Sequence, residues 1–272
     1  MNKLPLKLSI FLIFLSFNMD AFSQGTASNQ ITTFTIAAPQ LNTAKKIWLY
    51  LPKNYESTKK KYPVIYMFDA QNLFDAKTSY VGEWNIDEKL DSLKAKVIVV
   101  GIEHGNDKRL EELTPYKNEK YVGGKADEML AFIIETLKPE IDKKYRTNAN
   151  AKNTTIMGSS LGGLTAFYAT IKYPEVFGKA GVFSPAFWIN KKEIFELVAE
   201  KPKVKSKIYF LCGDKESEDM VTDLNEMNKL LSTKRCDCKY LTKTKIVKEG
   251  EHNEKLWRDN FVKAYLWLNA NW

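Results

Sequence analysis

Histidine is nearly absent from this chain: its 272 residues contain two, His104 and His252. Cysteine is almost as scarce, at Cys212, Cys236 and Cys238, with no Cys-x-x-Cys or His-x-His spacing. A Cys/His metal centre needs several such ligands at short spacings, so the pattern argues against one, and no metal or organic cofactor is expected. No apolar stretch approaches the roughly 20 residues of a membrane-spanning helix. Internal repeats and low-complexity tracts are missing too. What remains is an ordinary globular composition, 44% apolar and 27% charged, long enough for one large domain with a substantial core.

The first residues form a separate pattern. Lys3 and Lys7 precede an apolar run from Leu8 to Phe17, and small residues follow at Ala21 and Ser23. That is the layout of a secretory signal over residues 1–23, cut before Gln24. The rest is expected to be exported, periplasmic or secreted, with no integral span left after cleavage. Residues 1–23 carry two lysines and one aspartate, so the formal charge falls from +8 to +7. The lysines are dispersed, as in Lys59-Lys60-Lys61 and Lys201 to Lys207, which reads as a solvated basic surface. With no zinc-finger spacing and no aromatic-basic motif, nucleic acid is not an expected partner.

Beyond the signal, β-branched apolar runs alternate with helix-period segments. Strands are predicted at 31–37, 46–51, 64–68, 96–102, 154–157, 180–183, 207–212 and 240–247. Continuous runs such as Val97-Ile98-Val99-Val100 suit strands covered on both faces by helices. Helical stripes are Leu130, Ile133, Ile134, Leu137 and Ile141, kinked at Pro139; Met220, Leu224, Met227 and Leu231; and Trp257, Phe261, Ala264 and Leu268, capped by Asn253. The first two strands adjoin without a helix and should form an antiparallel hairpin. The rest predicts an α/β fold, single-domain over 25–272, with a mostly parallel sheet. Cys212 would end one strand while Cys236 and Cys238 precede the next. On parallel strands they lie at opposite ends of the sheet, too far apart for a disulfide.

The chemistry-bearing stretch is Met157-Gly158-Ser159-Ser160-Leu161-Gly162-Gly163, between a predicted strand and a predicted helix. Its Gly-x-Ser-x-Gly pattern describes a sharp strand-to-helix turn that presents a serine hydroxyl at the strand's carboxyl end. The register selects Ser160, because Ser159 would need glycines where Met157 and Leu161 stand. A serine hydroxyl needs a base, and an acid to orient that base. In this kind of fold the chain order is serine, acid, histidine, and only His252 follows Ser160. His104 reads as a surface or substrate-side histidine. The acid should follow the strand before the one that leads to His252. Asp214, Glu216 and Asp219 stand there; Glu216 is preferred, with Asp219 next. Oxyanion N–H donors should come from Leu161 and from the loop after the third strand, at Gln71 or Ala70.

Five blocks, YPVIYMFDAQNLFD, VGEWNIDEKLD, IVVGIEHGNDKRLEELTP, MGSSLGGLTAFYATIKYPEVFGKAGVFSPAFW and EGEHNEKLW, resemble an esterase family of α/β-hydrolases. That family includes siderophore esterases, feruloyl and acetyl xylan esterases and S-formylglutathione hydrolases. The resemblance spans about residues 30–270 and implies an eight-stranded α/β-hydrolase sheet and ester hydrolysis through an acyl-enzyme. Carried over, it puts the nucleophile at Ser160, the base at His252 and the acid at Glu216. The family's Asp-Gly-Gln oxyanion loop reads Asp69-Ala70-Gln71 here, so an alanine replaces its glycine. Trp188, in Ser184-Pro185-Ala186-Phe187-Trp188, is a candidate substrate contact, and Arg109 is expected to pair with Glu112. The expected activity is an exported serine carboxylic-ester hydrolase acting on a feruloyl or acetyl polysaccharide ester or a siderophore ester. The alternatives are an acyltransferase on the same triad and a non-catalytic, esterase-like binding module.

Overall fold

A computed structural model describes residues 25–234 and 242–270. Eight strands, β1 (Ile31–Ala38), β2 (Thr43–Tyr50), β3 (Val64–Phe68), β4 (Ile98–Ile102), β5 (Thr154–Ser159), β6 (Lys179–Phe183), β7 (Lys207–Gly213) and β8 (Thr242–Val247), form one sheet in the order β1-β2-β4-β3-β5-β6-β7-β8. β1 pairs antiparallel with β2, and β2 antiparallel with β4; all other neighbours are parallel. The helices are α1 (Ile86–Ser92), α2 (Arg109–Glu112), α3 (Ala126–Ala131), α4 (Lys138–Lys144), α5 (Leu161–Lys172), α6 (Lys191–Glu200), α7 (Met220–Thr233) and α8 (Glu254–Asn269). This is the α/β-hydrolase architecture, as one domain.

The alternation of side chains along each strand divides the core in two. Ile98, Val100 and Ile102 of β4 join a cluster with residues of α3 to α7, such as Leu130, Leu164, Ile194 and Leu224. Val97 and Val99 face the other way, toward Ile86 and Leu90 of α1 and Trp257, Phe261 and Leu268 of α8. Every residue of β3 to β7 is buried, which is why those strands read as continuous apolar runs.

The stripe from Leu130 to Ile141 is helical throughout, and a wide π-type stretch, Phe132–Leu137, joins α3 to α4 ahead of Pro139. Pro139 lacks an N–H, and its ring would clash with the carbonyl four residues back in a regular helix; the wider turn relieves both conflicts. One sequence expectation is corrected by packing. Arg109 does not pair with Glu112. Glu112 meets Lys45 of β2 at 2.6 Å, with both side chains 4% exposed, while Arg109 turns to Asp69. Cys212 is buried and free of disulfides among the described residues. Cys236, Cys238, the signal segment and the first two residues of the expected last strand lie outside those residues.

The chain leaves β3 for β4 on one side, and leaves β5 for β6 on the other. β3 and β5 are neighbours, so their carboxyl ends meet where the strand order reverses, the place where open α/β sheets build their clefts.

Candidate active site

β5 ends at Ser159 and α5 begins at Leu161, so Ser160 is the whole turn. Its backbone sits at φ 55°, ψ −119°, a strained conformation for a residue with a Cβ. Close packing enforces it. A Cβ at Gly158 would lie 2.7 Å from the Gly162 carbonyl, and one at Gly163 would lie 2.6 Å from the Phe183 carbonyl. The Ser160 N–H donates to Phe183 O at 2.9 Å, tying the turn to β6. Leu161 opens the helix, where backbone N–H groups have no intrahelical acceptor.

The cleft over this turn has a volume of about 610 Å³ and includes Ser160, His252, Gln71, His104, Arg109 and Trp257 in its walls. His252 follows β8 in the loop before α8. Its Nδ1 lies 2.7 Å from Glu216 Oε2. The other carboxylate oxygen, Oε1, accepts the Gly213 N–H at 2.6 Å and the Ser184 O–H at 2.7 Å. A carboxylate oxygen accepts, so Nδ1 is the ring nitrogen suited to donate to it, with Nε2 on the other side of the ring. The Glu216 side chain is 1% exposed and that of His252 36%. The edge of the His252 ring also packs against Trp257, with centroids 5.1 Å apart.

Neither other acid candidate reaches the histidine. Asp214 accepts the Glu249 N–H at 2.7 Å and holds the turn after β8. Asp219 sits at the entry to α7, where its carbonyl accepts the Asp223 N–H. The loops carrying Glu216 and His252 are in direct backbone contact: a Cβ at Gly213 would collide with the carbonyl of Gly250, and Lys215 N–H donates to that carbonyl at 2.9 Å.

The loop after β3 answers the replaced glycine. The left-handed backbone falls on Asp69, at φ 59°, while Ala70 begins a 3₁₀ turn that includes Gln71. The Ala70 methyl occupies space left by Gly101 of β4, where a Cβ would come within 2.9 Å of it. Asp69 accepts from Arg109 Nε and Nη2, both at 2.8 Å, in a two-pronged pair. Sequence reasoning missed Asp69 and Ser184, although each directly follows an inner strand at its carboxyl end. Ser184, at φ 43° and fully buried, accepts from Trp257 Nε1 at 2.8 Å while donating to Glu216.

His104 ends up on the cleft wall. Its Nδ1 accepts the Asn106 N–H at 2.9 Å, and burial lowers its pKa below the usual histidine value. Trp188 is 53% exposed and meets Tyr121 edge-on at 5.3 Å; it is not among the residues lining the cleft.

Among known proteins, an endo-1,4-β-xylanase/feruloyl esterase of Xylanibacter ruminicola is 26% identical over 200 residues, covering 70% of this chain and 25% of that protein. The ferri-bacillibactin esterase BesA of Bacillus subtilis is 31% identical over 150 residues, half of this chain and 51% of that one. The chain therefore spans about a quarter and about half of these two relatives. The solved BES protein of Bacillus cereus superposes with a TM-score of 0.72 at 19% identity, covering 99% of this chain and all of that one, a likeness of fold. No helix among the described residues is long and apolar enough to cross a membrane. The family model described as "Putative esterase" matches residues 38–268, almost the whole sheet and its helices, and the chain belongs to that esterase family.

Proposed function

We propose that the chain is a serine esterase working through an acyl-enzyme. The observation that carries this reading is the contact at 2.7 Å between buried Glu216 and His252, which shares the cleft wall with Ser160. Ser160 Oγ attacks the ester carbonyl. His252 Nε2 takes the hydroxyl proton and passes it to the leaving alcohol. Glu216 fixes the tautomer and carries the charge that develops on the ring. The N–H groups of Leu161 and Gln71 hold the oxyanion. Water, activated by His252, then releases the acid and frees Ser160. None of these steps calls on a metal or organic cofactor. The layout of residues 1–23 supports export.

The cleft's own charge favours an uncharged acyl group. Of the residues lining it, one carries a fixed positive charge, Arg109, and Asp69 neutralises it. Asp107 and Glu254 are acidic neighbours. The chain's lysine excess is not gathered here. Tyr80 and Val81, 91% and 60% exposed, offer the rim an apolar face for an aromatic ring. A feruloyl or acetyl ester of a saccharide is therefore the leading substrate. A siderophore ester is the second, favoured by the match to the ferri-bacillibactin esterase.

The test is labelling with a fluorophosphonate probe, followed by kcat/KM on feruloyl-saccharide, acetyl-xylan and ferric-siderophore esters. Labelling that is lost in Ser160→Ala, with preference for the uncharged esters, supports the reading. A folded protein that takes up no probe is a binding module instead. Product analysis with added alcohols detects acyl transfer.

A further inference from the structure

A second cluster of chemistry lies outside the cleft. Glu83, Asp87 and Glu88 each bring one carboxylate oxygen within 4.8 Å of the others. Glu83 is 6% exposed and Asp87 fully buried. Glu83 Oε1, Asp87 Oδ1 and Glu88 Oε2 are buried without a hydrogen-bond partner, and so is Ser28 Oγ.

The remaining oxygens show how the group is held. Glu83 Oε2 accepts the Thr26 hydroxyl at 2.8 Å, and Asp87 Oδ2 accepts the Ser28 N–H at 2.7 Å. Each of these carboxylates is thus anchored through one oxygen, while the other has no donor. Arg258 directs Nη1 to the Glu83 carbonyl at 3.2 Å and Nε to Asp259 at 3.5 Å. Ionised carboxylates cannot donate to one another, and burying several of them without partners costs several kcal/mol per group.

We infer that Glu83, Asp87 and Glu88 bind one hard divalent cation, calcium by its donor set. All three donors are carboxylate oxygens, which selects against zinc and copper. Calcium takes six to eight oxygens in irregular geometry, whereas magnesium demands a regular octahedron and keeps several waters. Carboxylates already pinned through residues 26 and 28 suit the less demanding ion.

The site has a route to the cleft. Tyr80 and Val81, shortly before Glu83, line the cleft. Trp84, immediately after it, stacks on Phe183 at 5.6 Å and packs against Trp257 at 5.9 Å. Trp257 in turn holds Ser184, which holds Glu216. A cation joining Glu83 to α1 would tie down the rim. That consequence rests on the proposed esterase reaction; the binding itself does not.

The test is calorimetric titration and thermal unfolding of the full mature chain, stripped with chelator, against calcium chloride, with magnesium chloride at equal ionic strength as control. The expected result is one calcium per chain and a melting temperature raised by about 5 °C or more at saturation. Glu88→Gln should weaken binding at least about tenfold, yet melt at or above the stripped wild type, because one repelling charge is gone. Asp87→Asn should act the same way; should it fail to fold, Glu88→Gln carries the comparison. Absence of binding heat at millimolar calcium, or an equal melting response in wild type and Glu88→Gln, overturns the inference. Neither readout requires turnover, so failure here leaves the esterase reading untouched. If calcium binds, chelation should raise KM for a bulky ester more than it lowers kcat.

Discussion

His252 Nδ1 and Glu216 Oε2 stand 2.7 Å apart, one side chain 36% exposed and the other 1%. The carboxylate is sealed in and the imidazole is open to the cleft. Two donors from separate strand ends, Gly213 N–H and Ser184 O–H, fix the far oxygen, so the carboxylate cannot turn away. Glu216→Gln keeps the shape and changes the tautomer that the histidine must adopt. The expected loss in kcat is about a thousand- to ten-thousand-fold with little change in KM, measured on a p-nitrophenyl ester.

Ser184→Ala removes one donor to Glu216 and leaves the buried Trp257 N–H without its acceptor. Stability should fall by about 1–3 kcal/mol and kcat by about tenfold. Urea unfolding together with kinetics checks both. An unchanged kcat would mean that Gly213 alone orients the acid.

Ser159 and Ser160 both border the cleft, but only Ser160 carries the strained turn. Ser160→Ala should reduce turnover by about ten-thousand-fold or more, while Ser159→Ala keeps most of it. The two variants, assayed side by side on one ester, decide between the serines.

Arg109→Ala would leave Asp69 buried beside the Ala70–Gln71 turn without its two-pronged partner. Breaking such a pair by removing one member costs about 3–5 kcal/mol; the partial exposure of Arg109, 27%, places the expectation at about 2–3 kcal/mol. Turnover should drop as well, because Asp69 sets the left-handed entry to Ala70 and Gln71. Arg109→Lys should recover only part, since an ammonium cannot reproduce the fork.

Lys179 lies directly opposite Lys207 on the neighbouring strand. Burial, then the charges of Lys207 and Lys152, lower its pKa from the usual lysine value to about 8. The unfolded chain binds that proton more tightly, so Lys179 opposes folding fully below pH 8. The penalty fades as pH rises from about 8 toward 10.5. Lys179→Met should therefore be more stable than wild type at pH 7, with a flatter stability profile between pH 8 and 10. Urea unfolding at four pH values in that window reads both.

The sheet was legible because its inner strands are buried on both faces and appear as uninterrupted apolar runs. Ser160 stands out as the proposed nucleophile because the elbow permits one spacing of glycines, and His252 as the proposed base because no other histidine follows Ser160. The acid was harder: four carboxylates, Asp214, Glu216, Glu218 and Asp219, lie within six residues, and only the strand-end packing that brings Gly213 and Ser184 together shows which one is caged. Arg109 and Glu112 are three apart on a short helix, a spacing that invites a pair, but Glu112 is claimed by Lys45 from the antiparallel edge of the sheet. Asp69, forty residues before Arg109, becomes its partner only once β3 and β4 lie side by side. Such choices belong to tertiary structure, and no local pattern records them.

The contact between Gly213 and Gly250 has a consequence for how this chain can vary. The separation of the proposed acid and base is set by two residues that contribute no side chain. A methyl group at either would act as a wedge, prising the loop of Glu216 from the loop of His252. A saturation screen for ester cleavage should therefore find positions 213 and 250 nearly as intolerant as the triad, although neither residue lines the cleft.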